Sequence, residues 1–188
     1  MIEALEHPRL AELFRALRDG RHLCLEDGPL YTALEQHSHA FRDLFRALGY
    51  RLEHHRKGVY YFRGDSAVTD TARRFCVFTW ILVEHLGDRG DGIEEALFAG
   101  TFSIDELPHL QTERYQQTMA ELGVADGEGI VRVLAGMERF GFATVQGDRV
   151  RFRRPLYRIV DLCIQLLGEG ADDAAESGQG DVGERTEP

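Results

Sequence analysis

Apolar side chains recur along this chain with two different periods, and the order in which those periods appear is repeated. Phe41, Leu44, Phe45 and Leu48 fall at i, i+3, i+4 and i+7, the spacing of a helix with one face on a core. Gly49 follows, the residue type that takes the left-handed conformation at a helix stop. Tyr50–His54 and Val59–Phe62 are short runs rich in aromatic and β-branched residues, which predicts a β-hairpin turning at Arg56-Lys57-Gly58. The same order returns later. Ile130, Val133, Leu134, Met137 and Phe140 form the helical stripe and Gly141 the stop. Phe142–Val145 and Arg149–Phe152 form a hairpin closed by Gln146-Gly147-Asp148. Leu48-Gly49-Tyr50 aligns with Phe140-Gly141-Phe142, and Phe62-Arg63 with Phe152-Arg153. Helix, glycine and hairpin make the closing part of a winged helix, so the duplication predicts two such modules in tandem.

The segments between complete the modules. Leu10, Leu13, Phe14 and Leu17 predict an opening helix over Pro8–Leu17, closed by Gly20. Arg21–Leu25 is expected to be extended and Leu30–Leu34 to be a brief helix, with Ser38 capping the helix that carries Phe41. Residues 1–65 thus form the first winged-helix domain. Val68–Leu86 is apolar around most of its circumference, which predicts a helix buried on more than one side, against the first module or another chain. Short helices at Ile93–Phe98 and through Leu107, a short extended segment at Phe102–Ile104, and helices over Thr112–Leu122 and from the cap Asp126 follow. Pro155 then starts a last helix that Gly168 ends, so the second domain spans 66–168. Residues 169–188 have almost nothing to bury and are expected to be a disordered acidic tail. The fold class is α+β, mainly helical.

Net charge does not decide what such a chain binds. The formal charge is -10, but seven acids against Arg185 fall in residues 169–188, leaving -4 over the other 168 residues. Three scattered cysteines, Cys24, Cys76 and Cys163, sit among apolar neighbours with no CxxC pair, as expected of reduced, buried thiols in the cytoplasm. The N-terminus lacks the basic start and long apolar run of a signal peptide. The longest apolar run, Phe75–Val83, is about half of the roughly 20 residues a membrane-spanning helix needs.

Catalytic and metal chemistry finds no pattern. His37-x-His39, His54-His55, His22 and Glu84-His85 lack the spacing of a zinc set, and there is no HExxH, Walker A loop, GxGxxG, GxSxG or acid/base carboxylate pair. No enzyme and no cofactor is expected. Basic residues carry more information. Strand alternation puts Arg149, Arg151 and Arg153 on one face with Val150 and Phe152 inward, and Arg154 follows; Arg56 and Lys57 stand at the tip of the first hairpin. These six are the candidates for contact with DNA phosphates, independent of sequence. The helices before the hairpins offer only Arg42 and Arg46, and Arg132 and Arg139, a poor set for reading bases. The apolar excess at Phe75, Phe78, Trp80 and Ile81, with Leu156 and Ile159 in the last helix, nominates a partner interface and a homodimer. A winged-helix transcription regulator shares this fold, but it calls for a more basic recognition helix.

With these residues in view, the chain resembles the MukE/MksE accessory subunits of bacterial condensin complexes. Asp19-Gly20-Arg21-His22-Leu23-x-Leu25-Glu26 is similar to that family's Gly-Arg-His segment, and Gly58-Val59-Tyr60-Tyr61-Phe62-Arg63 to its Gly-aromatic-aromatic wing strand. Leu134–Phe142 resembles its last core helix and glycine, and the acidic tail agrees. Short length and a compact first wing look closer to MksE than to MukE. The resemblance implies tandem winged-helix proteins that dimerise and bind the middle region of a kleisin (MksF/MukF-like). Through it they join an SMC-like ATPase (MksB/MukB-like) that entraps DNA, in chromosome organisation and segregation or in plasmid defence, in the cytoplasm and at the nucleoid. ATP hydrolysis then belongs to the partner.

Overall fold

The computed structural model describes residues 2–64, 69–161 and 163. The stripe Leu10, Leu13, Phe14 and Leu17 forms α2 (Leu10–Arg18), preceded by one turn, α1 (Ile2–Leu5), that the apolar spacing does not announce. Strand β1 (Leu23–Cys24), a 3-10 turn (Leu25–Asp27), α3 (Pro29–Gln36) and α4 (Ser38–Ala47) follow, then the hairpin β2 (Arg51–His55) and β3 (Val59–Arg63). Gly49 takes φ +84°, the left-handed stop expected of it. The expected cap at Ser38 does not form. A single residue, His37, separates α3 from α4, so Ser38 already lies inside the helix and no side chain caps it. The sheet order is β1-β3-β2, all antiparallel, with Leu52 opposite Phe62 and Cys24 opposite Val59. Leu13, Leu17, Leu23, Leu34, Phe41, Phe45 and Leu52 fill the core beneath it.

The second half repeats the plan. Its helix α5 (Asp70–Asp88) is capped by Thr69, whose hydroxyl accepts from the Ala72 N–H at 3.1 Å. Next come α6 (Ile93–Ala99), β4 (Phe102–Ser103), two 3-10 turns (Ile104–Glu106 and Pro108–Leu110), α7 (Glu113–Glu121) and α8 (Gly127–Arg139). Asp126 caps α8 as expected, accepting from the Gly129 N–H at 2.8 Å. Strands β5 (Ala143–Gln146) and β6 (Arg149–Phe152) close the sheet in the order β4-β6-β5, the same first-third-second order as before. Gln146 pairs with Arg149, so the turn is the two residues Gly147-Asp148, shorter than the three expected. A 3-10 turn at Arg154–Leu156 leads into helical residues 157–161, so Pro155 lies within that turn rather than opening the α-helix. The acidic tail and the helix stop at Gly168 lie outside the described residues, and α5 starts at Asp70 behind the extended Thr69, later than the expected Val68.

The broad apolar girth of α5 is explained within the chain. Phe75, Phe78, Ile81, Leu82, Val83 and Leu86 pack into one core with Leu97, Met119, Leu134, Met137 and Phe152, because α6, α7, α8 and the second 3-10 turn surround the helix.

Candidate functional site at the joint and the hairpins

Between the two halves lies a joint built on Gly20, Arg21 and His22, the segment that links α2 to β1. The His22 N–H donates to the Phe140 carbonyl at 2.9 Å, at the end of α8. Two glycines permit this approach. Gly20 (φ +88°) and Gly141 (φ +87°) both take left-handed backbone, and a Cβ on Gly141 would stand 2.6 Å from the His22 carbonyl oxygen. The His22 ring stacks on Tyr61 (centroids 5.3 Å) and tilts over Phe142 (4.6 Å), drawing a residue from each half onto it. Its Nδ1 lies 3.0 Å from the Gly20 carbonyl, and its Nε2 meets the Arg158 guanidinium, which itself sits over the Tyr61 ring at 3.6 Å. Burial, and then the Arg158 charge, push the His22 pKa down to about 3. The ring is therefore neutral, with Nδ1–H donating to Gly20 and Nε2 accepting from Arg158.

Beside it runs a cluster of charges that also crosses the joint. Arg153 Nη2 meets Asp27 Oδ2 at 2.9 Å and its Nε meets Glu26 Oε2 at 3.3 Å, while Nη1 donates to the Gly141 carbonyl at 3.2 Å. Arg21 binds the other Asp27 oxygen at 3.0 Å, and Arg151 reaches Glu26 at 2.8 Å. Burial alone would raise the Asp27 carboxyl. The Cys24 N–H, Arg153 and Arg21 more than offset it and hold Asp27 below the ordinary carboxylate range. Burial likewise acts against the Arg153 charge, and Asp27 and Glu26 overcome it, so this guanidinium is held above its ordinary value. The Cys24 thiol is pushed up to about 11, chiefly by burial, and stays protonated.

These pairs decide where the expected phosphate contacts stand. Arg56 pairs with Asp161 at 2.7 Å, and Lys57 with Glu94 at 2.8 Å, its ammonium also lying 4.3 Å from the Tyr157 ring centre. Arg151 and Arg153 pair with Glu26 and Asp27 as above. Arg149 and Arg154 are exposed and make no ion pair among the described residues. The expected face of three exposed arginines is thus corrected at Arg153: β6 ends at Phe152, and the next side chain turns into the joint, where it is 5% exposed. Sequence reasoning passed over the acids that meet these cations. Glu26 and Asp27 sit in a 3-10 turn and Glu94 and Asp161 on distant helices, with no local spacing to link them to the hairpins.

The partner-interface candidates divide in a similar way. Phe75, Phe78, Ile81, Leu156 and Ile159 are buried in the chain's own core, so these five nominated positions do not form an exposed apolar face. Leu156, in the 3-10 turn, and Ile159, in the helical residues after it, both join the second core. Trp80 is half-buried, with Arg114 over its ring at 5.4 Å. Of the histidines weighed as ligands, His22 belongs to the joint, His54 stacks on Tyr60 (4.3 Å) and His55 faces Asp161 (3.5 Å). Among the described residues no group of three His, Cys, Asp or Glu side chains gathers in a metal-binding arrangement, and no helix is long and apolar enough to cross a membrane.

The joint explains a sequence segment without invoking catalysis: Gly20, Arg21 and His22 each have a contact across the two halves or beside them. Compared with known families, residues 8–164 match the model described as condensin complex protein MksE. No match was found among curated proteins.

Proposed function

The chain belongs to the MksE family of condensin complex proteins, and from this premise we propose that it is a non-catalytic accessory subunit that binds the kleisin of an SMC-like complex. The observation that carries the reading is the family match over residues 8–164, which spans both repeated halves and the joint between them. We read each half as a winged helix, residues 1–65 and 66–168, since both run helix, strand, helices, hairpin with the same sheet order. The subunit acts as a homodimer in the cytoplasm and at the nucleoid. It holds the middle region of the kleisin and, through it, the SMC-like ATPase that entraps DNA in chromosome organisation and segregation or in plasmid defence.

The joint supports this role: the His22 hydrogen bond to Phe140, the close approach that Gly20 and Gly141 permit, and the Arg153–Asp27 pair tie the two halves together. DNA contact in this reading is made to the backbone and carries little sequence preference. Affinity purification of the tagged chain from its native host tests the assignment. Co-purification of a kleisin and an SMC-like ATPase is the expected result; recovery of neither contradicts it.

A further inference from the structure

We propose that the groove between α5 and α8 is a binding site for the phosphate backbone of nucleic acid, apart from both hairpins. The proposal rests on reading the chain as a subunit of a DNA-organising complex. Thr71 and Arg74 of α5 and Arg132 and Arg139 of α8 line this groove of about 430 Å³, and no carboxylate does. Two of the three guanidiniums are held in place by uncharged partners, and the third has only a weak, exposed ion pair. Arg74 Nε donates to the Leu122 carbonyl at the end of α7 (2.8 Å), an uncharged acceptor, and the side chain makes no ion pair among the described residues. Arg139 lies over the Phe140 ring (5.6 Å to the centroid) and also makes no ion pair among them. Arg132 meets only Glu128, one turn away at 3.6 Å, with both side chains more than half exposed. Such an exposed pair contributes little to stability and gives way to a competing anion.

The contrast with the hairpins is what singles this surface out. Arg56, Lys57, Arg151 and Arg153 each face a carboxylate from the opposite half. Arg42, Arg46 and Arg51 share a smaller groove, but Glu53 lines it with them and Asp43 pairs with Arg46 at 3.4 Å. The groove between α5 and α8 gathers three arginines with no acid in its wall, and Glu128 stands outside it, one turn from Arg132. Arg132 and Arg139 stand two turns apart, about 10 Å along a straight helix, so the row suits a polymer of regularly spaced charges rather than one small anion. Guanidinium forks bind phosphate oxygens bidentately, and the contact they make is blind to base sequence.

Fluorescence anisotropy of a labelled DNA duplex, titrated with the full chain over a range of salt concentrations, tests the proposal. Arg132→Ala/Arg139→Ala should flatten the log-log salt slope by about 2, since each lost phosphate contact removes roughly 0.9. Arg132→Lys/Arg139→Lys should keep most of the slope. Arg15→Ala/Arg18→Ala on α2, which removes the same charge elsewhere, should leave it unchanged. Equal flattening by the two alanine pairs, or none by the first, overturns the site while leaving DNA binding by the subunit intact. Poly-glutamate that competes as well as DNA at equal charge assigns the groove to an acidic peptide and overturns the proposal. A wild-type chain that binds no DNA at low salt overturns the site together with the DNA reading on which it rests.

Discussion

Lowering the pH from 7 to 5 should cost the folded chain about 4 kcal/mol, roughly 2 kcal/mol from each of two histidines, the half-buried His22 and the fully buried His109. His22, in the joint, is pushed down to about 3 by burial and by Arg158. His109, in the second core, is pushed down to about 4, chiefly by burial. Its ring stacks on Phe78 at 3.7 Å, its Nε2–H donates to the Phe78 carbonyl at 2.9 Å, and its Nδ1 has no partner. Both rings are neutral in the fold, whereas in the unfolded chain they take up a proton near pH 6.5. Below that value the unfolded state binds more protons, so stability is greatest above about pH 6.5 and falls as pH drops toward the folded-state values. Urea unfolding at pH 7, 6 and 5 measures this directly. His109→Phe should remove about half of the pH slope, whatever it does to absolute stability. A stability that stays flat from pH 7 to 5 would contradict the placement of both rings.

Asp27→Ala should destabilise the chain by about 3–5 kcal/mol, the usual consequence of removing one member of a buried ion pair. Asp27 and Arg153 are each almost fully buried, and Asp27 also accepts from Arg21 and from the Cys24 N–H at 2.9 Å. Without the carboxylate, Arg153 keeps its charge in the joint with only the half-exposed Glu26 to meet it. The double variant Asp27→Leu/Arg153→Met removes both charges and should be less destabilised than Asp27→Ala alone, because no unpaired charge stays buried. Denaturant midpoints of the three proteins check the ordering. A single variant within about 1 kcal/mol of wild type would mean that the pair opens to water and does not lock the halves together.

Local signals were legible in the amino-acid order, and long-range pairing was not. The stripes ending at Leu48 and Phe140 and the glycines after them predict helix, stop and hairpin because each depends on neighbours within about one turn; both glycines are left-handed. Asp126 caps its helix for the same reason, and Ser38 fails because the chain leaves only His37 between two helices. The hairpin cations were legible as strand residues but not as ion-pair members. Arg56 meets Asp161 and Arg151 meets Glu26 across more than a hundred residues, and no periodicity links such positions. The girth of α5 was likewise correct as a pattern and silent about its cover, since three further helices of its own half enclose it. Arg74, Arg132 and Arg139 converge only because α5 and α8 pack side by side.

The claim that this chain is a kleisin-binding condensin subunit is tested most directly by calorimetry with the purified middle region of the neighbouring kleisin. Binding is expected at micromolar concentrations or tighter, with a negative heat-capacity change that marks apolar burial and little dependence on salt, in contrast to the steep salt dependence of DNA binding. No heat of binding at those concentrations, at any salt or temperature tried, would contradict it.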